Sequence, residues 1–299
     1  MFSKTFVVGA VLLATCSHAQ AQDGARAYHP VPKGTNFASL TVTAQQLTIA
    51  GSEFGVAVVT PSYQGYFELA GTASAFLIGM PIGSLSAALD TGFGIVNLET
   101  DVAPGDMFIG GQLGLFGSPS LGPMDYAQYK PGLQAIAAAK LFLPTGDYDS
   151  SRLLNLGGNR WSLQASLPIS YILADTLLDP DLTTFELVPS VHIFGDNDDP
   201  FGSSTVASQE PLFLLEAHVT RNFGPSVWAA LDGYYVRGGE TSSNGVPDGN
   251  AQETLSLGAT LGLVLSPSLA MRASYVEQVY STVSDSSFRS VRVTSAYRF

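Results

Sequence analysis

Residues 254–271 read Thr254-Leu255-Ser256-Leu257-Gly258-Ala259-Thr260-Leu261-Gly262-Leu263-Val264-Leu265-Ser266-Pro267-Ser268-Leu269-Ala270-Met271, without a charge. A run of this length approaches what a membrane helix needs, but its order forbids a helix. Leu255, Leu257, Ala259, Leu261, Leu263 and Leu265 take the odd positions, while Thr254, Ser256, Gly258, Thr260 and Gly262 take the even ones. Period two is a strand with one apolar face and one small, polar face.

The alternation repeats on both sides of this run. Leu269, Met271, Ala273 and Tyr275 oppose Arg272 and Ser274, and Val291, Val293, Tyr297 and Phe299 oppose Arg292, Thr294 and Arg298. Upstream, Phe213, Leu215, Ala217 and Val219 face away from Glu216, His218 and Thr220, and Val227, Ala229, Leu231 and Tyr235 face away from Trp228, Asp232 and Tyr234. Segments 160–172 and 183–194 follow the same rule. Each is about ten residues long, the span of a tilted membrane strand. The other uncharged stretch, residues 69–89, is interrupted by Gly71, Gly79, Pro81 and Gly83, which also argues against a helix.

A soluble sandwich alternates too, but here the last strand ends on Phe299 with no polar tail behind it. Tyr297 and Phe299 resemble the C-terminal signature of bacterial outer-membrane barrels, which the barrel-assembly machinery reads. Connections agree: short links at 222–226 and 266–268 alternate with long polar ones at 145–159, 195–209 and 238–251. The expected fold is an all-β transmembrane antiparallel up-and-down barrel of about 12 strands. Eight are expected near 133–144, 160–172, 183–194, 210–221, 226–237, 252–265, 269–281 and 287–299. Four more are expected near 36–48, 62–71, 73–82 and 106–117, with 10 or 14 strands as alternatives.

Composition supports the same class. The 299 residues are 45% hydrophobic and only 13% charged, about half the usual share for a soluble domain. Thirteen Lys and Arg stand against 25 Asp and Glu, a net charge of −12, so no nucleic-acid partner is expected. The N-terminus, with Lys4, the apolar run Phe6 to Ala14 and the small-x-small site Ala19-Gln20-Ala21, reads as a secretory signal peptide cleaved after Ala21. Cleavage removes Cys16, the one cysteine. A lipoprotein box around Cys16 is disfavoured by Thr15 before it. Residues 22–35 are a periplasmic tail or a plug, and 36–299 the barrel.

If the odd positions of the later strands meet lipid, Lys140, Glu186, His192, Glu216, His218, Asp232, Arg272 and Arg292 point into the lumen with Phe142, Trp228 and Tyr234. Buried charges must pair or stay wet. The expected pairing sets Glu216 and Asp232 against Arg272 and Arg292, either as an interior network or as the lining of a permeation path.

Leu143-Pro144-Thr145-Gly146-Asp147-Tyr148-Asp149, Asn155-Leu156-Gly157-Gly158-Asn159-Arg160-Trp161, Gln209-Glu210-Pro211 with Glu216-Ala217-His218, and Gly238-Gly239-Glu240-Thr241 with Asn244-Gly245 resemble, in that order, an outer-membrane channel family. The family is called "putative meta-pathway of phenol degradation". The resemblance covers most of residues 36–299. It implies kinship with the fatty-acid and toluene channels, and passive uptake of small hydrophobic or aromatic solutes. The implied surroundings are outer-membrane lipid and lipopolysaccharide.

Other chemistries fit less well. Asp196-Asn197-Asp198-Asp199 lacks the ligand spacing of a calcium loop, and Gly157-Gly158 has neither the lysine nor the helix of a phosphate loop. No metal and no cofactor are expected. Ser242-Ser243-Asn244-Gly245 resembles part of an outer-membrane phospholipase motif, but its preceding base is absent, since the nearest upstream histidine is His218. A channel is therefore expected, with a structural barrel or a lipid-acting hydrolase as the alternatives.

Overall fold

The computed structural model describes residues 22–299, so the expected signal peptide, 1–21, lies outside the described residues. β1 (Asn36–Ile49) turns at Ala50-Gly51 into β2 (Ser52–Leu69), which turns at Ala70-Gly71 into β3 (Thr72–Gly79). The φ values are +49° and +83° in the first turn and +52° and +81° in the second. Two left-handed residues give the hairpin a twist that matches its strands.

Past Met80-Pro81 the chain resumes as β4 (Ile82–Asp90) along the same neighbour, β2, so β3 and β4 are halves of one wall strand. β5 (Ile95–Glu99), β6 (Ala103–Pro104) and β7 (Phe108–Phe116) are pieces of the next. Short helix α1 (Pro123–Gln128) leads to β8 (Leu133–Phe142). β9 (Ser162–Ser166) and β10 (Ile169–Leu173) form a third divided strand. Pro81 and Pro168 sit in two of these breaks and Pro104 ends β6, and a proline has no N–H to give the ladder.

β11 (Thr183–Phe194) follows, then β12 (Ala207–Gln209) in a loop, β13 (Leu212–Asn222) and β14 (Val227–Gly238). β15 (Thr241–Ser243) and β16 (Val246–Pro247) join β12 in a small separate sheet. β17 (Gln252–Ser266), β18 (Leu269–Ser281) and β19 (Ser286–Arg298) complete the wall. β1 pairs with β2 on one side and with β19 on the other, from Phe37↔Arg298 to Ile49↔Ser286, so the sheet closes. Twelve antiparallel wall strands result. Closure leaves no unpaired edge facing lipid.

The eight C-terminal strands fall where the alternation places them. The N-terminal ones differ. The second strand begins at Ser52, ten residues before the expected 62, and the segments expected at 73–82 and 106–117 each hold only part of a wall strand that β4, or β5 and β6, completes. The reason is apolar filling on both faces: Phe54, Leu85 and Ala87 point inward and are buried, which erases period two.

Lipid-facing side chains form an apolar belt, with Leu231, Leu257, Leu261 and Phe213 exposed at odd positions. In β1 the parity inverts, with Leu40 and Val42 outward and Thr43, Gln45 and Leu47 inward. The long connections 143–161, 195–211 and 239–251 gather at one end of the barrel, opposite the end where Asn36 and Phe299 pair. Residues 117–132, which carry α1, are a long link at the end of the termini, where short turns were expected.

Candidate functional site

The register of β8, β11, β13, β14, β17, β18 and β19 aims their even-numbered residues at the lumen. There they meet the chain's own N-terminal segment. Residues 22–34 run inside the barrel and make a tight turn in which Gly24 and Arg26 have φ values of +79° and +61°. Left-handed backbone at a non-glycine residue costs about 1 kcal/mol or more, and the wall holds it there. The Arg26 N–H donates to Glu186 Oε2 at 2.9 Å, and the N–H groups of Asp23 and Gly24 donate to the two oxygens of Glu216 at 2.9 Å each.

Cations grip the same segment by its carbonyls. Arg272 Nη1 donates to Ala25 O at 3.0 Å and Arg292 Nη1 to Gln22 O at 2.8 Å. Lys140 pairs with the Asp23 carboxylate, which also accepts the Tyr28 hydroxyl at 2.7 Å. Gln134 donates to Tyr28 O, and Tyr28 packs on Ile136 and Val188. Burying so many charges is tolerable because each side chain meets a complementary group.

The remaining carboxylate, Asp232, joins His218. His218 Nδ1 lies 2.7 Å from Asp232 Oδ1, its Nε2 lies 3.3 Å from Glu216 Oε2, and Thr260 donates to Asp232 Oδ2 at 2.6 Å. Glu216, His218 and Asp232 sit on facing rungs of β13 and β14, closed by β17. Tyr234 crosses the His218 ring edge-on at 5.6 Å. The expected pairing is thus corrected: Glu216 and Asp232 serve His218, Thr260 and the N-terminal N–H groups, while Arg272 and Arg292 hold main-chain carbonyls. The sequence showed which wall charges turn inward, but the partner strung between them precedes the first strand.

Beside the segment lies a cavity of about 800 Å³. Of the residues singled out in the sequence, Lys140, Trp228, Arg272 and Arg292 line it. Phe142, Glu186, His192, Glu216, His218, Asp232 and Tyr234 face the lumen away from it. Trp228 lies flat across β17 because position 262 is glycine; a Cβ there would sit 2.0 Å from the indole. The Arg26 guanidinium covers the same indole at 4.5 Å. Neither Arg26 nor Gly262 stood out in the sequence.

At the loop end the lumen is filled by Leu153, Leu154 and Leu156, folded inward against Leu47, Phe54, Leu85 and Ala87. Their segment is clamped by Asp106, which accepts the N–H groups of Gly146 and Gly158 at 2.9 and 2.8 Å. Gly146 and Gly157 touch backbone to backbone, leaving no room for a Cβ, so these motif glycines serve packing. Phe142 and His192 stack beneath with Phe194, and Ser162 Oγ lies 3.0 Å from His192 Nε2.

The outer acidic residues make turns: Asp149 accepts the N–H and the hydroxyl of Ser151, which hold its carboxyl below the usual range. Asn197 Oδ1 accepts the Asp199 N–H at 3.0 Å. Ser242 and Ser243 lie on the small outer sheet, where Asn244 accepts the N–H groups of Thr205 and Val206. Tyr297 and Phe299 are both more than half exposed on the lipid side.

Comparison with solved structures gives the same fold. The COG4313 outer membrane channel of Pseudomonas putida F1 superposes with a TM-score of 0.73 at 18% identity, covering 91% of this chain and 98% of that one. The translocator domain of the autotransporter NalP of Neisseria meningitidis follows at 0.53 and 11%, covering 97% of each chain. The β domain of the Bordetella autotransporter BrkA gives 0.52 and 12%, covering 89% and 100%. All three share the barrel fold of this chain. No curated protein matches the chain in sequence. The family model described as "Putative MetA-pathway of phenol degradation" matches residues 32–289. An outer-membrane barrel with this ordered set of loop motifs, matched over most of its length, belongs to that family.

Proposed function

We propose that the protein is a passive outer-membrane channel for small hydrophobic or aromatic compounds. The observation that carries this reading is the cavity of about 800 Å³ inside an otherwise filled barrel. Its size suits a small organic ligand, and Phe37, Phe108 and Trp228 give it aromatic walls. A filled loop end and a docked N-terminal segment argue against a water-filled pore for hydrophilic solutes. Passage of a solute then requires the segment or the inward loop to move, and the solute's own gradient drives the net flux.

Uptake by proteoliposomes, and growth of a deletion strain on aromatic and long-chain carbon sources, test the reading. Faster entry of at least one such compound is expected. No accelerated entry of any of them would favour a structural barrel, the reading that the hydrogen-bonded polar belt supports. In the His218 cluster the Thr260 hydroxyl donates to Asp232 and not to the imidazole, so the cluster does not set a base on a hydroxyl as a serine-type hydrolase would require.

A further inference from the structure

The charges of the lumen are sorted in space. Arg26, Lys140, Arg272 and Arg292 line the cavity and, among the described residues, Asp23 is its one carboxylate, an excess of three positive charges. The wall carboxylates are engaged elsewhere: Glu216 and Asp232 with His218, and Glu186 with the Arg26 main chain rather than its guanidinium. Asp23 itself is taken by Lys140 and Tyr28. Arg272 and Arg292 spend hydrogen bonds on neutral carbonyls, and Arg26 Nη2 is a buried donor with no partner. A buried guanidinium N–H without an acceptor is a position where a ligand oxygen is worth most.

The apolar half of the site adjoins these donors. Trp228 lies beneath Arg26 and above Gly262, whose strand neighbour is Arg272, and Val227 and Val264 continue the surface. We propose that the cavity selects anionic amphiphiles, with a carboxylate held among Arg26, Arg272 and Arg292 and its aromatic or alkyl part on Trp228 and Val264. This deepens the channel reading and rests on it for the solute's route. A neutral aromatic fills the apolar half but brings no counter-charge to the cationic half, and a cationic amphiphile meets repulsion.

The test uses the full chain in non-ionic detergent and three ligands with one apolar part: 4-phenylbutanoate, 4-phenylbutanol and 4-phenylbutylammonium. Titration calorimetry should give the acid about ten- to a hundredfold tighter binding than the alcohol, the gain typical of charge-assisted hydrogen bonds, and the ammonium the weakest. In a Trp161→Phe background Trp228 is the single tryptophan, so its emission should change on binding and locate the ligand. Arg292→Gln and Arg272→Gln should each reduce the preference for the acid, with folding verified by heat-modifiable gel mobility.

Binding of the acid no tighter than the alcohol, or absence of binding by all three, overturns the proposal even if a variant fails to fold. Liposome uptake separates the two readings. Equal entry of all three overturns anion selection and leaves the channel standing; tight acid binding without entry overturns the channel and leaves the site.

Discussion

Glu216→Ala removes the acceptor for two main-chain N–H groups of the N-terminal segment, those of Asp23 and Gly24, each at 2.9 Å from a carboxylate that is fully buried. Hydrogen bonds to a charged group contribute about 1.5–3 kcal/mol each, so the docked segment loses about 3–6 kcal/mol relative to the undocked one. That shifts the docking equilibrium roughly a hundred- to ten-thousandfold toward release. The wall keeps its ladders, because no strand pairing passes through the Glu216 side chain, and the His218–Asp232 contact survives. The assay is labelling of Ala25→Cys by a membrane-impermeant thiol reagent. Ala25 is 1% exposed, so the thiol is silent while the segment stays docked. Reaction through transient opening tracks the open population, so the Glu216→Ala background should label far faster, and Glu216→Gln, which keeps one acceptor oxygen, should fall between. Conductance in planar bilayers should rise in the same order. Equal labelling of Ala25→Cys with and without Glu216 would refute the view that this carboxylate holds the segment.

Four further outcomes are expected. Gly262→Ala drives a Cβ into the Trp228 indole and should red-shift Trp228 emission in the Trp161→Phe background while the barrel stays heat-modifiable; an unshifted spectrum contradicts the packing described. Asp106→Ala leaves the Gly146 and Gly158 N–H groups without their acceptor at about 1–3 kcal/mol each, so protease should cut residues 143–161 at least tenfold faster, and an uncut loop argues against the clamp. Cysteines at Ser204 and Ser243, on the loop end, should label on whole cells while one at Pro267 should not, and the reverse pattern would invert the topology. Deleting Phe299, whose N–H and carbonyl pair with Asn36 at 3.1 Å across the closing seam, should lower the yield of heat-modifiable barrel, with an unchanged yield counting against its role in assembly.

Period-two patterning carries the wall wherever the two faces differ in chemistry. In β17 every odd residue from Leu255 to Leu265 faces lipid and the small even ones face the lumen, so alternation gave the strand, its faces and its ends. In β2 and β4 the inward positions hold Phe54, Leu85 and Ala87, which pack on the inserted Leu154; both faces are then apolar and the pattern disappears. The wall strands that hold Pro81, Pro104 and Pro168 are divided near these prolines, yet the neighbouring strands continue past them and keep each divided strand in line.

The same division runs through the lumen. By itself the sequence determined the barrel class, a strand number of about twelve with ten and fourteen open, and the shared strand face of Lys140, Glu186, His192, Glu216, His218, Asp232, Arg272 and Arg292, because side-chain direction in a strand is a local property of the backbone. Only the tertiary structure decided which of them meet. Asp23 and Glu216 are 193 residues apart, and Gln22 and Arg292 are 270 apart. Contacts of that range depend on closure of the ring and on the path of a segment that belongs to no strand. Local pattern has no access to either, so the exchange of partners between the carboxylates and the arginines became visible only in the folded chain.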